Sequence, residues 1–162
     1  MKNIFQPLKI RPLLLILAAS LAVTACSSTA KYRTHHSSKD KYIVVKTAKN
    51  MLGVKYRYGG SSPRQGFDCS GLVQYSYKAA GIHVPRTTRQ LYKSVRLISR
   101  RYLKAGDLVF YKTSVSRAVS HVGIYLGNNK FIHAPSSGKR VKISSMLEQY
   151  WRKRFTGAGR FL

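Results

Sequence analysis

Acidic residues are nearly absent from this chain. Asp40, Asp68, Asp107 and Glu148 stand alone against 30 Lys and Arg in 162 residues, a formal net charge of +26. Any carboxylate that orients a catalytic base must come from those four positions, and so basic a surface concentrates polyanions. Cysteine is nearly absent too, with only Cys26 and Cys69. No Cys-x-x-Cys or His-x-x-x-His spacing marks a metal site, and no internal repeat is visible. The one long apolar run, Leu13–Val23, falls short of the roughly 20 residues a membrane-spanning helix needs.

What the first residues do contain is a leader pattern. Lys2, Lys9 and Arg11 precede the apolar run, and Val23-Thr24-Ala25-Cys26 follows it. A positive start, a short apolar segment and small residues before a cut describe a secretory signal. The Cys after the small residues makes it resemble a bacterial lipoprotein signal. That resemblance implies removal of residues 1–25 and acylation of Cys26, several acyl chains giving stable anchoring; Ser27 rather than Asp points to the outer membrane, facing the periplasm. Loss of the leader takes only three positive charges with it. For an exported chain the available polyanions are cell-wall carboxylates and lipid phosphates, so no nucleic-acid partner is expected. If Cys26 carries lipid, Cys69 is an unpaired thiol in an oxidising compartment, where thiols are usually paired or eliminated. Either catalysis or burial as a small hydrophobe would explain its survival.

Residues 26–40 are polar, small and basic, and read as a flexible tether, with His35 and His36 in it as solvated residues. From 41 to 162 the pattern becomes that of one domain. Ile43, Val44, Thr47, Ala48 and Met51 fall at helical spacing before Gly53. After the turn-rich stretch 56–63, Asp68 caps a helix over roughly 69–80 that ends at Gly81. Pro85–Leu91 is a loop entering a short helix, and 104–107 turns into a strand at Leu108–Tyr111. Val119–Leu126 and Lys130–Ala134 form a hairpin around Gly127-Asn128-Asn129, residues that tolerate positive φ. Val141–Ile143 is a further strand, and Tyr150-Trp151 with Phe155–Leu162 closes the domain. A helical first half and a stranded second half give an α+β class.

Three residues carry chemistry. Cys69 opens the helix capped by Asp68, where free amides and the dipole favour a thiolate. His121 and His133 sit symmetrically about Gly127, so a hairpin centred there sets their imidazoles across from each other, on the face opposite Val122 and Ile124. One imidazole can then serve the thiol as base while the second fixes its tautomer, the logic of a triad. The same trio could instead hold Zn²⁺ with an open position.

With these residues the chain resembles the NlpC-type cell-wall peptidases, over about residues 41–162. The resemblance rests on Tyr56-Arg57-Tyr58-Gly59-Gly60, Asp68-Cys69-Ser70-Gly71-Leu72-Val73, Pro85-Arg86-Thr87, Gly106-Asp107-Leu108-Val109-Phe110, His121-Val122-Gly123-Ile124-Tyr125 and Phe131-Ile132-His133-Ala134, in that order. It implies a papain-like fold, N-terminal helices packed on an antiparallel sheet. It implies Cys69 as nucleophile, His121 as general base then acid, His133 as third member, and Tyr56 as an active-site hydroxyl that helps hold the oxyanion. No cofactor or metal is implied. The expected partner is peptidoglycan, cut beside a diamino acid within a stem or at a cross-link, by a monomer. Asp68, Gly106 and Asp107 read as cap and turn residues, and Arg86 as a solvated arginine rather than a binder of substrate carboxylate. A non-catalytic wall-binding lipoprotein, or an acyltransferase or amidase using the same site, are the other functions these residues allow. Lys55 departs from the Pro often found before the Tyr-Arg-Tyr segment.

Overall fold

The computed structural model describes residues 38–114 and 118–161. The leader, Cys26 and the His35-His36 pair lie outside the described residues.

The first helix, α1 (Ser38–Asn50), places Val44 and Ala48 inward. It begins at Ser38, three residues ahead of the boundary at 41 that composition suggests. A two-stranded ribbon follows, β1 (Ser61–Ser62) with β2 (Gly66–Phe67). Next come α2 (Cys69–Ala79) and α3 (Thr88–Ser94). Asp68 caps α2 by accepting the Gly71 amide at 2.6 Å, and Thr87 caps α3 in a reciprocal box with Gln90, each satisfying amides that the first helical turn leaves free.

The second half supplies six strands. They are β3 (Arg96–Ile98), β4 (Leu108–Tyr111), β5 (His121–Gly127), β6 (Lys130–His133), β7 (Lys142–Ser145) and β8 (Phe155–Arg160). The short helix α4 (Gln149–Arg154) leads into the last of them. All pair antiparallel in the order β3-β8-β4-β5-β6-β7. The chain's last strand thus inserts between β3 and β4, a position sequence order does not suggest. At the hairpin, Gly127, Asn128 and Asn129 all have positive φ, as their residue types anticipate.

Alternation along β4 shows how the sheet is buried on both sides. Leu108 and Phe110 join Val44, Ala48, Leu72, Val73, Leu91, Val122, Ile124 and Ile132 in the core under the helices. Val109 and Tyr111 face the other way, with Tyr125, Phe131, Met146 and Trp151. The burial of each such side chain stabilises the fold by about 1.5–3 kcal/mol, and the α+β, papain-like layering expected from the sequence is what these two cores build.

A separate clamp ties the ends of the domain together. Asp107, fully buried, takes two bonds from Arg160 (Nε to Oδ1 2.7 Å, a terminal nitrogen to Oδ2 2.6 Å), one from the Lys104 amide at 2.7 Å, and lies 3.7 Å from Lys41 Nζ. The Tyr77 hydroxyl donates to the Gly106 carbonyl at 2.6 Å. Asp107 is more than a turn residue: it joins α1, β4 and β8.

Candidate active site

Two motifs far apart in type meet at the start of α2. A Cβ on Gly71 would strike the Gly60 carbonyl, so only glycine lets this helix turn sit against the Gly59-Gly60 turn. The Asp68 amide donates to the Gly60 carbonyl at 3.1 Å, and the Gly59 amide donates to Asp68 Oδ2 at 3.0 Å. Arg86 then locks the arrangement from the third side. Its guanidinium gives 2.9 Å and 2.7 Å bonds to the two Asp68 oxygens, with further contacts to Ser70 Oγ and the Gly60 carbonyl. The reading of Arg86 as a solvated arginine is therefore corrected: it is the counter-ion of the helix cap, a bidentate pairing lysine could not copy.

This network fixes the backbone from which Cys69 projects. The sulfur is half-buried and has no disulfide partner. It lies 3.4 Å from the Thr88 hydroxyl, and backbone groups of Val122 and Ser70 hydrogen-bond to it. Val122 follows His121 directly, so the thiol meets the β5 strand at the histidine's own peptide. Tyr56 lies in the same neighbourhood: burial raises its phenol pKa, and the charges of Cys69 and Asp68 raise it further.

The thiol's acidity runs against the expectation drawn from the helix start. Burial pushes the Cys69 thiol up, and the Asp68 carboxylate adds to this, against the opposing hydrogen bonds from Thr88, Val122 and Ser70. The cap that makes the helix start brings its own negative charge beside the sulfur, and the half-dipole of the helix does not overcome both.

The imidazole side is built differently. His121 is 4% exposed and His133 fully buried. His121 Nε2 and His133 Nδ1 are 2.9 Å apart, and His133 Nε2 is 3.1 Å from Ser144 Oγ. The hairpin's register is not the one a centre at Gly127 implies. Ile124 pairs with Ile132, and the ladder shifts between Tyr125 and Gly127. Carried along the strands, that pairing sets His133 across from Gly123, so the two imidazoles are diagonal neighbours on one face rather than directly opposed. They still meet, with rings nearly perpendicular at 88°.

Trp151 walls in both. Its ring stacks on His121 (centroids 5.4 Å, planes 27° apart) and meets His133 edge-on at 4.8 Å. Burial holds His121 down to about 4, and His133 is pushed lower still by burial and by the charges of His121, Lys142 and Lys139. Both rings are accordingly neutral at neutral pH. Sequence reasoning did not single out Thr88, Ser144 or Trp151. Thr88 directly follows the Pro85-Arg86-Thr87 motif, the one signal that pointed its way. Among the described residues, no group of three or more His, Cys, Asp or Glu side chains is arranged to hold a metal ion.

A half-buried thiol on a capped helix start, set against a hairpin whose two strands each bring one of a pair of bonded imidazoles, is the layout of a papain-like cysteine-peptidase fold. The chain belongs to the NlpC/P60 family, whose model matches residues 53–160. It is 47% identical over 115 residues to the murein DD-endopeptidase MepH of Escherichia coli (strain K12), covering 69% of this chain and 42% of that one. It is 42% identical over 118 residues to the bifunctional muramidase/DL-endopeptidase CwlT of Bacillus subtilis (strain 168), covering 72% and 35%. Among solved structures, a lipoprotein-like NLP/P60 protein of Staphylococcus aureus superposes with a TM-score of 0.71 at 35% identity, over 82% of this chain and 44% of that one. The chain spans less than half the length of each of these relatives.

Proposed function

We propose that the domain hydrolyses amide bonds in peptidoglycan stem peptides, with Cys69 as nucleophile and His121 as its base. The observation that carries this reading is the placement of the half-buried Cys69 sulfur against the backbone that follows His121, whose ring is in turn bonded to His133. With His133 donating from Nε2 to Ser144, its Nδ1 accepts the His121 Nε2–H, and a lone pair remains on His121 Nδ1. This is the tautomer a base requires.

The neutral ground state sets the order of events. Cys69 keeps its proton until the sulfur attacks the carbonyl carbon; His121 takes that proton as the C–S bond forms. The Tyr56 hydroxyl and the Cys69 amide stabilise the oxyanion. His121 returns the proton to the leaving amine as the C–N bond breaks, giving a thioester. His121 then deprotonates a water, which releases the peptide acid and restores the thiol. His133 and Ser144 orient the ring throughout.

The bond we favour is the cross-link between diaminopimelate and D-Ala. Two Escherichia coli relatives, 47% and 45% identical, are named murein DD-endopeptidases, the second also a murein LD-carboxypeptidase, against a DL-endopeptidase at 42%. The Cys26 lipid would tether the domain at the outer membrane facing the periplasm; no described helix is long and apolar enough to cross a membrane. Mass spectrometry of cross-linked muropeptides incubated with the chain tests all of this chemistry. Conversion of dimers to monomers, abolished by Cys69→Ser, is the expected result. Sacculus binding without any cleavage by the wild-type chain would instead establish a wall-binding lipoprotein.

A further inference from the structure

Among the described residues, the sulfur's one side-chain hydrogen bond is to Thr88, a residue that the proposed reaction does not use. Thr88 is buried and opens α3, and its hydroxyl lies 3.4 Å from Cys69 Sγ. Two residues earlier, Arg86 is fixed to Asp68, the residue before Cys69, at 2.7 Å and 2.9 Å. The 86–88 segment is thus stapled to the 68–69 segment at two points, one ionic and one between hydroxyl and sulfur. The ionic point fixes the backbones; the second reaches the reactive atom itself.

The chemistry of a hydroxyl differs from that of the other groups on the sulfur. A backbone N–H from Val122 or Ser70 can only donate, and so favours the anion alone. A hydroxyl accepts from S–H and donates to S⁻ by rotating about one bond, so it contacts the sulfur in both protonation states. From this geometry we infer that the Thr88 hydroxyl is a positioning group for the Cys69 thiol, holding the S–H at rest and donating to the negative charge that builds on sulfur as the proton passes to His121. The hydroxyl keeps its own hydrogen throughout, so it adds no proton-transfer step. It opposes the rise that burial imposes on the thiol, which places Thr88 on the side of the anion. The inference rests on Cys69 being the nucleophile, but its central measurement does not.

The test uses the full chain and two substitutions, Thr88→Val, which keeps shape and loses the hydroxyl, and Thr88→Ser, which keeps the hydroxyl. The rate of iodoacetamide modification is followed against pH on the peptide bearing Cys69, read by mass spectrometry so that Cys26 does not interfere. Thr88→Val is expected to raise the pH midpoint by about one unit, as loss of a hydrogen bond to a charged group implies. It is also expected to lower kcat on cross-linked muropeptides about tenfold with KM little changed, while Thr88→Ser stays within about twofold of wild type. An unchanged midpoint in folded Thr88→Val, or equal losses in the Val and Ser variants, would overturn the inference. Should Thr88→Val not fold, Thr88→Ala provides the same reading of the midpoint. Cleavage that persists in Cys69→Ser would sink the nucleophile assignment instead, and would leave the alkylation midpoint to decide the role of Thr88.

Discussion

The thiol side and the imidazole side of the site are held by opposite means. Around Cys69 the scaffold is ionic and hydroxylic: Asp68, Ser70 and Thr88, with the partly exposed Arg86 closing it toward solvent. Around His121 and His133 it is aromatic and dry, with Trp151, Phe131 and Tyr111 on the rings and Ser144 as the polar anchor. On the proposed reading, with Cys69 as nucleophile and His121 as its base, the difference fits two demands. A nucleophile must be reached by substrate, so its position is fixed through polar bonds that tolerate water. A base must stay unprotonated until the sulfur gives up its proton, and exclusion of water keeps an imidazole neutral by penalising its charged form.

The most severe way to break this comparison is to open the dry side. Trp151→Ala removes the wall that both imidazoles share and leaves a cavity under β5 and β6, at a cost of about 3–5 kcal/mol. The melting temperature should fall accordingly, and an NMR titration should show the His121 midpoint climbing from about 4 toward its ordinary 6.5. A midpoint that stays put after the indole is gone would mean that something other than burial holds the ring neutral.

Acid should then reach the two sides differently. His121 is buried neutral, so between its unfolded value of 6.5 and its folded value of about 4 the unfolded chain binds more protons than the native one. Stability is complete above pH 6.5 and declines as pH falls toward 4, by about 3 kcal/mol from this ring alone. Cys69 contributes nothing in that window, because its thiol is protonated throughout it. Denaturant melts between pH 7 and pH 4 should therefore show a falling midpoint, to which the still more depressed His133 contributes in the same sense, so that His121→Gln removes only part of it. A flat profile in the wild-type chain would show that the imidazole is not buried as a neutral group.

How far the two sides were legible in the sequence follows the same division. The helix start at Asp68-Cys69 and the hairpin at Gly127-Asn128-Asn129 are local devices, set by caps and by backbone angles, and residue types announce them. The pairing of Cys69 with the strand of His121 is tertiary and was reached by combining those two devices with the family's motifs. What stayed hidden depends on contacts between distant segments. Arg86 looks like any other arginine in a chain with 30 Lys and Arg until Asp68 is seen beside it. The strand β3 is short, and Leu97 in it is 57% exposed, so it carries no alternation to read. The strand β8 contains Gly157 and Gly159, poor strand formers; a Cβ at Gly159 would strike Val95, which explains a glycine no local rule requires. Ser144 and Trp151 are anonymous in sequence because only the folded sheet brings them to the histidines.

A subtler probe acts on the polar side. Asp68→Asn retains an oxygen to cap α2 but loses the charge that pairs with Arg86, and is expected to cost about 1–2 kcal/mol. Its effect on the sulfur has the opposite sense from simple damage. The Asp68 charge raises the Cys69 pKa, so its removal should make the thiol more acidic and faster to alkylate at neutral pH, even as kcat falls from a loosened helix start. Faster alkylation together with slower turnover separates electrostatics from positioning; alkylation slowed in step with turnover would place the whole role of Asp68 in geometry.

The smallest effect is expected at the polar anchor of His133 on the dry side. Ser144→Ala takes away the partner of His133 Nε2, 3.1 Å distant, in a site that stays closed by Trp151. Loss of one neutral hydrogen bond costs about 1 kcal/mol, so the melting temperature should drop by a few degrees at most. If His133 orients His121 only through its tautomer, kcat should fall several-fold with KM unchanged, because the unanchored ring can place its proton on Nδ1 and deprive His121 Nε2 of an acceptor. Ser144→Thr, which restores a hydroxyl on β7, should recover most of that loss. Equal kcat in Ser144→Ala and wild type would show that the hydrogen bond between His121 and His133 is enough to fix the tautomer without Ser144.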